Sequence, residues 1–127
     1  MPLVRIAMPQ GKSPEYRRAI SAGVQRALVE TFDVPEDDLF QVITEQGPGT
    51  QIVHAPRYLG IAYTDDLTLI QLTVSDTRTL EQKRRLFRRI ADRLAESPGL
   101  RREDVFINLV ETRKENWSFG NGEAQYA

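Results

Sequence analysis

Hydrophobic and polar positions along this chain fall into two blocks of the same design. In each block a short apolar run is followed by a stretch of helical spacing and then by a second apolar run. The runs at 3–8, 39–45, 67–74 and 105–111 are rich in branched side chains, which predicts four strands. Between the two runs of each block, apolar residues recur every three or four positions, which predicts an amphipathic helix. Each block is therefore predicted to fold as strand–helix–strand.

Capping residues mark where the two predicted helices begin and end. Ser13 followed by Pro14 is typical of an N-cap with proline at the first helical position. Thr79 and Gln82 have the T-x-x-Q spacing of a capping box. The stop signals are Asp33 with Pro35 in the first block and Pro98 with Gly99 in the second.

A shift of 66 residues aligns the two blocks without a gap, which predicts a duplicated unit inside one domain that spans 1–127. The repeat covers 2–45 and 68–111, and 112–127 forms a C-terminal segment. The shift pairs Leu3 with Leu69, Glu15 with Glu81, Asp38 with Asp104, and Phe40 with Phe106. A right-handed crossover makes the two strands of each unit parallel. We therefore expect an α/β (α+β) fold, in which two tandem βαβ units share a four-stranded mixed sheet with both helices on one face.

The predicted strands are apolar at most positions, so both faces of the sheet are expected to be buried. Two helices cover only one face, and association of several copies of the chain would cover the other. The glycine-rich segments QGPGTQIV and RKENWSFGNGEAQY are expected to form hairpins that clasp a neighbour. The connection 47–66 is long, and loops of that length are often functional. Within it His54, Arg57 and Tyr58 are interpreted as structural or interfacial.

Composition narrows the chemistry. The 127 residues carry a net charge of −1, which favours neither nucleic acid nor an anionic membrane as a partner. No apolar run approaches the roughly 20 residues that span a bilayer, and no targeting segment is evident, so a cytoplasmic location is expected. The absence of cysteine and the single histidine, His54, argue against thiolate, zinc and histidine-triad chemistry. Carboxylates, arginines, hydroxyls and the amino terminus remain.

Pro2 is the candidate for a reactive amine. Removal of Met1 would leave a secondary amine, and an α-amino group has a reference pKa near 8. Apolar surroundings would lower the pKa of this amine and allow it to act as a general base or a nucleophile. Thr68, its partner in the repeat, lies within the chain, so one such site is expected per chain. From the residues alone, a terminus without function is the simpler interpretation.

Four segments, in order, resemble the tautomerase superfamily, whose members are built from βαβ units with a catalytic amino-terminal proline. MPLVRIAMPQGKS resembles the opening of a short tautomerase, and VPEDDLFQVITE resembles the entry to its second strand. TRTLEQKRRLF resembles the helix start of a duplicated member. ENWSFGNGEAQY resembles the W-S-F-G segment of the malonate semialdehyde decarboxylase branch. The resemblance implies a fold like that of 4-oxalocrotonate tautomerase and a homotrimer of duplicated chains.

The resemblance also implies roles for individual residues. Pro2 would be the general acid or base, and Asp38 would position or activate water. Arg78, at the start of the second helix, would bind a substrate carboxylate through its two-pronged guanidinium. Lys12 stands in the equivalent place of the first unit, where it keeps the charge but loses the fork. The residues that would wall the site and exclude water are Trp117, Phe119 and Tyr126.

The chain departs from the decarboxylase pattern before the second helix, and also at Leu39 and Phe40, where some relatives place arginine or tyrosine. That branch has arginine at two alternate positions before the second helix, and here Asp76 stands in place of the first. One arginine instead of two favours enol–keto tautomerisation of a small 2-oxo or 2-hydroxy acid, which needs one base, one anchor and a dry pocket. We therefore expect a cofactor-independent isomerase with no metal, whose partner is a small carboxylate substrate.

Two alternatives stay open. The first is a hydratase or decarboxylase that acts on malonate semialdehyde or a halogenated acrylate product, with Asp38 activating water and a cationic Pro2 as the acid. The second is a non-catalytic oligomeric relative. Bland roles also remain: Arg78 as a solvated residue at a helix start, Asp38 as a capping or turn residue, and the aromatic residues near 117–119 as interface core.

Overall fold

The computed structural model describes residues 1–127 as a four-stranded sheet with two helices on one face and a small separate hairpin. The strands are β1 (Leu3–Pro9), β2 (Gln41–Gln46), β3 (Arg57–Tyr58), β4 (Ile61–Ala62), β5 (Thr68–Ser75) and β6 (Val105–Thr112). The helices are α1 (Pro14–Phe32) and α2 (Leu80–Glu96), and neither is long and apolar enough to cross a membrane. Short 3-10 turns cover Arg102–Asp104 and Lys114–Asn116.

The sheet has the strand order β2-β1-β5-β6. β1 is parallel to β2 and β5 is parallel to β6, whereas β1 and β5 are antiparallel, with Leu3 opposite Thr73. This confirms the predicted mixed sheet of two βαβ units. Because β1 and β5 run in opposite directions, the start of β1 lies beside the end of β5, and equivalent positions of the two units lie at opposite edges of the molecule.

Local side-chain contacts explain why the helices begin where they do. The hydroxyl of Ser13 accepts a hydrogen bond from the backbone N–H of Tyr16 at 3.0 Å. Thr79 and Gln82 form the predicted capping box, in which each side chain accepts from the other residue's backbone N–H. α1 ends at Asp33, whose φ of 54° lies in the left-handed region that aspartate tolerates better than most residues.

The hydrophobic core lies between the helices and one face of the sheet. Alternate residues of the central strands point into it, and the helices contribute apolar residues at helical spacing. The fully buried members include Val4, Ile6, Ile70, Leu72, Leu28, Leu86, Ile90 and Leu94. Burial of each such side chain contributes about 1.5 to 3 kcal/mol, so this layer fixes the strands whose ends carry the site described below.

The other face of the sheet differs from the prediction. It is mixed rather than fully apolar: Val42, Phe106 and Val110 are exposed, and polar side chains alternate with them. Among these, the side-chain amide of Gln71 donates a hydrogen bond to Asn108 at 2.9 Å.

The two predicted hairpins are also wrong in position. The hairpin of this chain is β3–β4, with Leu59 and Gly60 at its tip, and the segment after β6 forms a 3-10 turn and an irregular loop.

Candidate active site

The candidate site lies where β1 begins and where β5 and β6 end. We call this side of the sheet, which is formed by strand ends, an edge. Pro2, buried immediately before β1, lines a cavity of about 440 Å³. The backbone N–H of Val4 donates to the carbonyl of Phe40 at 3.0 Å, which holds the segment before β2 against the same edge. Other lining residues are Phe40, Thr73, Thr112, Trp117 and Phe119.

Three aromatic side chains line this cavity, namely Phe40, Trp117 and Phe119, and Tyr126 packs against Phe119; we call these four side chains the aromatic wall. Trp117 stacks on Phe119 with ring centroids 5.6 Å apart and planes 9° apart. Phe119 also contacts the ring of Phe40 at 6.4 Å and the edge of Tyr126 at 5.1 Å. The hydroxyl of Tyr126 lies 3.2 Å from the sulfur of Met1. The structure thus brings Trp117, Phe119 and Tyr126 together at the amino terminus, where they can exclude water.

The α-amino group at this terminus, which belongs to Met1 here, has a perturbed pKa. Burial lowers its pKa because a charged amine is poorly solvated in the cavity. The nearby carboxylate of Asp38 acts in the opposite direction, and the positive charges of Arg78 and Lys114 lower the pKa further. The amine therefore lies among one carboxylate and two cations, an arrangement suited to proton transfer near neutral pH.

Asp38 is the carboxylate of this group. Its side chain is 6% exposed, and neither carboxylate oxygen has a hydrogen-bond partner. Its backbone is fixed, since its N–H donates to the Pro35 carbonyl at 3.0 Å and its carbonyl accepts from Gln25 at 3.2 Å. Burial raises the pKa of Asp38, while the terminal amine lowers it and Asp37 raises it again. A buried carboxylate without partners is costly in a folded protein, so a structural hydrogen bond does not account for the burial of Asp38.

Asp104 is the residue equivalent to Asp38 in the second unit, and its carboxylate has hydrogen-bond partners. It is completely buried, and its carboxylate accepts hydrogen bonds from the backbone N–H of Thr64 at 2.9 Å and from the Thr64 hydroxyl at 2.5 Å. Arg101 adds a longer contact at 3.4 Å. The turn role considered for this pair of aspartates therefore describes Asp104, whereas the side chain of Asp38 makes no such bond.

Arg78 is held in place but has no acidic partner. One terminal nitrogen of its guanidinium donates to the carbonyl of Phe32 at 2.9 Å, and the other donates to the hydroxyl of Thr77. The guanidinium carbon lies 4.8 Å from the centroid of the Phe32 ring. No carboxylate lies within ion-pairing distance of Arg78, in contrast to most of the other arginines. It is therefore a fixed cation available to an anionic ligand.

The structure does not bring Lys12 to this cavity within one chain. Lys12 lies at the opposite edge of the sheet, where it forms an ion pair with Asp66 at 2.7 Å. The hydrogen bond to Asp66 raises the pKa of Lys12. Its role in substrate binding stays a prediction. Asp76, the departure from the decarboxylase pattern, is exposed and is not among the residues that line the cavity.

Lys114 was not expected from the sequence. It begins the 3-10 turn that leads to Trp117, and its position 66 residues earlier is Pro48, which carries no charge. Its neighbours within the turn, Glu115 and Asn116, are polar and exposed, so nothing in the local pattern distinguishes it from a solvated residue.

A larger cleft of about 930 Å³ lies between α1 and β2, but its charged residues neutralise one another. Arg17 pairs with Glu45 at 2.6 Å, and Arg26 pairs with Glu36 at 3.1 Å. The cleft contains neither an unpaired buried acid nor a perturbed amine. The smaller cavity at Pro2 is therefore the better candidate for chemistry.

Comparison with known proteins identifies the group to which this chain belongs. Two sequence families, both described as tautomerase enzymes, match residues 38–120 and residues 2–56. The chain belongs to the tautomerase superfamily. Together the two matches reach from Pro2 through the aromatic residues at 117 and 119.

Individual tautomerases and related structures agree with this placement. The probable tautomerase YusQ of Bacillus subtilis (strain 168) is 42% identical over 125 residues, which cover 98% of each chain. The crystal structure of FG41 malonate semialdehyde decarboxylase inhibited by 3-bromopropiolate is 38% identical, with a TM-score of 0.89 over 98% of this chain and 93% of the other. A fused 4-OT symmetric trimer shares the fold at 22% identity, with a TM-score of 0.78 over 98% and 97%.

Proposed function

We propose that this tautomerase interconverts the enol and keto forms of small 2-oxo and 2-hydroxy acids, with the amine of Pro2 as acid and base after removal of Met1. One observation carries the proposal: the amino terminus, which is that of Met1 here, is partly buried and has a lowered pKa, and it lies near Arg78, a cation that has no acidic partner. These are the two groups that a proton shuttle on a carboxylate substrate requires. Neither proton transfer of this reaction needs a metal or an organic cofactor.

The reaction consists of two proton transfers. Arg78 binds the substrate carboxylate through two parallel N–H···O bonds, which orients the enol toward Pro2. The neutral amine of Pro2 takes the proton of the enol hydroxyl and then delivers a proton to carbon, so the keto form leaves and the amine returns to its neutral state. General acid–base catalysis of this kind contributes about 10²- to 10⁴-fold in rate. The aromatic wall keeps bulk water from competing for the proton.

The proposal is tested by intact-mass analysis together with an enol assay. The mass establishes whether Met1 is removed, because retained methionine would convert the Pro2 nitrogen into an amide without basicity. Ultraviolet spectroscopy then follows ketonisation of phenylenolpyruvate by the wild type, by Pro2→Ala and by the control Pro9→Ala, at the far end of β1. We expect Pro2→Ala to lower kcat/KM by about 100-fold or more, and Pro9→Ala to change it little. Equal activity of all three would refute the role of Pro2.

A second candidate, decarboxylation or hydration of malonate semialdehyde, is favoured by Asp38. Its carboxylate has two unpartnered buried oxygens near the amine, and the related decarboxylase structure is 38% identical. In that reaction the carbon–carbon bond breaks to release carbon dioxide, and protonated Pro2 gives its proton to the remaining enolate. Asp38 would hold or activate water in the hydration step. Release of carbon dioxide from malonate semialdehyde would support decarboxylation, and a hydratase activity that Asp38→Asn abolishes would support the role of Asp38.

We also propose that the working form is a homotrimer. The exposed Val42, Phe106 and Val110 lie on the uncovered face of the sheet, where a further copy of the chain can bury them. Assembly would also bring neighbouring chains close to the sites at the sheet edges. If a processed protein catalysed neither reaction, a non-catalytic oligomeric relative would be the better description.

A further inference from the structure

Thr112 ties the indole of Trp117 to the backbone of the sheet. It is the last residue of β6, and its hydroxyl oxygen accepts a hydrogen bond from the Trp117 Nε1–H at 2.8 Å. The same hydroxyl donates to the carbonyl of Val74 in β5 at 3.2 Å. A threonine hydroxyl has one proton and two acceptor lone pairs, so donation to Val74 leaves a lone pair to face the indole. Two consecutive hydrogen bonds thus connect the ring to a buried strand.

This connection determines where the aromatic wall stands. Trp117 follows an exposed turn, Lys114–Asn116, that alone would leave the ring free to choose among rotamers. Phe119 stacks on Trp117 and in turn contacts Phe40 and Tyr126. The position of the indole therefore determines the positions of the other three rings of the aromatic wall.

The corresponding segment after the first unit has no counterpart of this pair. The positions 66 residues earlier are Gln46 and Gln51, which have neither a hydroxyl nor an indole. The Thr112–Trp117 hydrogen bond is thus confined to the end of the sheet at which Pro2 lies. A bond required only for the βαβ fold would be expected in both halves.

We propose that Thr112 is a positioning residue of the active site, which acts through Trp117 to hold the aromatic wall over the Pro2 nitrogen. This inference rests on the proposed function. Thr112 moves no proton. Its contribution is to keep the cavity shaped for the substrate and closed to water, so its loss weakens substrate binding more than it slows the proton transfers. Entry of water would also bring the pKa of the amine closer to its ordinary value.

The test compares Thr112→Val, which keeps the branched shape and removes the hydroxyl, with Thr112→Ser, which keeps the hydroxyl. Trp117 is the only tryptophan, so a single indole N–H resonance in a ¹H–¹⁵N spectrum reports its hydrogen bond. For Thr112→Val we expect an upfield shift of the indole proton, a KM raised about fivefold or more with a smaller change in kcat, and an alkaline shift of the rising limb of kcat/KM against pH. For Thr112→Ser we expect wild-type behaviour in all three.

Two results would overturn the inference: an indole resonance that Thr112→Val leaves in place, or equal losses of substrate affinity in the Val and Ser variants. Melting curves recorded by circular dichroism establish whether both variants fold. If the wild type turned over no enol, the proposed function would fail on its own, and the same variants would be compared by quenching of Trp117 fluorescence with pyruvate. A weaker dissociation constant for Thr112→Val alone would then support the positioning role, and equal constants would refute it.

Discussion

Asp38 and Asp104 occupy equivalent positions 66 residues apart, and both side chains are buried, yet their carboxylates have opposite surroundings. Asp104 accepts two hydrogen bonds from Thr64, whereas both oxygens of Asp38 are unpartnered and lie near the amino terminus. We therefore expect the duplicated position to have two roles, one in stability at Asp104 and one in the proposed site at Asp38.

This contrast predicts opposite effects of the same substitution on stability. Burial raises the pKa of Asp38 in the folded state, so the stability linked to its protonation is present below the unfolded pKa and is lost as pH rises through the folded pKa. At pH 7 the ionised side chain thus costs stability, and Asp38→Asn is expected to stabilise the protein by on the order of 1 kcal/mol, or a few degrees in Tm.

Asp104→Asn is the matched control. It weakens two charge-assisted hydrogen bonds to Thr64 and is expected to destabilise by about 1 to 3 kcal/mol. Thermal melts between pH 4 and pH 8 measure both effects, and the advantage of Asp38→Asn should grow with pH. A decrease in Tm for both variants at pH 7 would show that Asp38 has a structural partner.

The charges around the amine predict how the activity depends on pH. As a general base the amine must be neutral, so kcat/KM should rise with pH through an apparent pKa below the ordinary value near 8. Lys114→Ala removes a positive charge that lowers this pKa, so the rising limb should move to higher pH. Asp38→Asn removes a negative charge, so the limb should move to lower pH. Shifts of the same sign in both variants would contradict this arrangement of charges.

Arg78 is expected to determine affinity for the substrate carboxylate. Loss of a charge-assisted hydrogen bond typically costs 1.5 to 3 kcal/mol, so Arg78→Ala should raise KM by roughly 10- to 100-fold. Arg78→Lys should fall between it and the wild type, because lysine keeps the charge but cannot bind the carboxylate at two points.

Lys12→Ala in the same assay tests the role predicted for Lys12. In this structure Lys12 pairs with Asp66 at the opposite edge of the sheet. An unchanged KM would show that its role is confined to that pair. A KM raised as in Arg78→Ala would show that Lys12 reaches a substrate, which within an oligomer requires a site on a neighbouring chain.

The uncovered face of the sheet predicts the effect of a charge placed on it. Phe106→Arg should convert the proposed trimer into monomers, which sedimentation velocity would detect, while circular dichroism should show unchanged secondary structure. Arg84→Glu, on the exposed side of α2, provides a control with a larger change in charge. A trimer that survives Phe106→Arg would show that this face is not the interface.

Much of the fold could be predicted because burial and capping leave local marks. The spacing of Val24, Leu28 and Leu86, Ile90 reports the faces that pack on the sheet, and Ser13 and Thr79 act on backbone groups three residues away. The β3–β4 hairpin left no such mark. Gly60 at its tip is a common turn residue, but the residue before it, Leu59, has a φ of 52°, a conformation that leucine rarely adopts, so the Leu-Gly pair does not resemble a usual hairpin turn.

The site could be predicted only in part, because its chemistry depends on what each side chain lacks. Asp38 and Asp104 are the same residue in similar sequence, and only the tertiary structure shows that Thr64 reaches one of them. The repeat also suggested that Lys12 and Arg78 act alike. The antiparallel pairing of β1 with β5 places these two residues at opposite edges of the sheet. An alignment of the repeat with itself carries no information about this pairing.

In the linker, Thr64 donates a hydrogen bond to Asp104 and Asp66 forms an ion pair with Lys12. These two contacts have a consequence for how the protein can evolve. In an assembly of separate identical βαβ chains, every mutation would alter all the sites at once. Here a substitution falls on one unit alone, so the residues at the end of the sheet that the linker closes can drift while selection for catalysis acts on the residues at the opposite end. In a saturation-mutagenesis scan for activity, the two residues of a pair 66 positions apart should consequently differ in how many substitutions they tolerate.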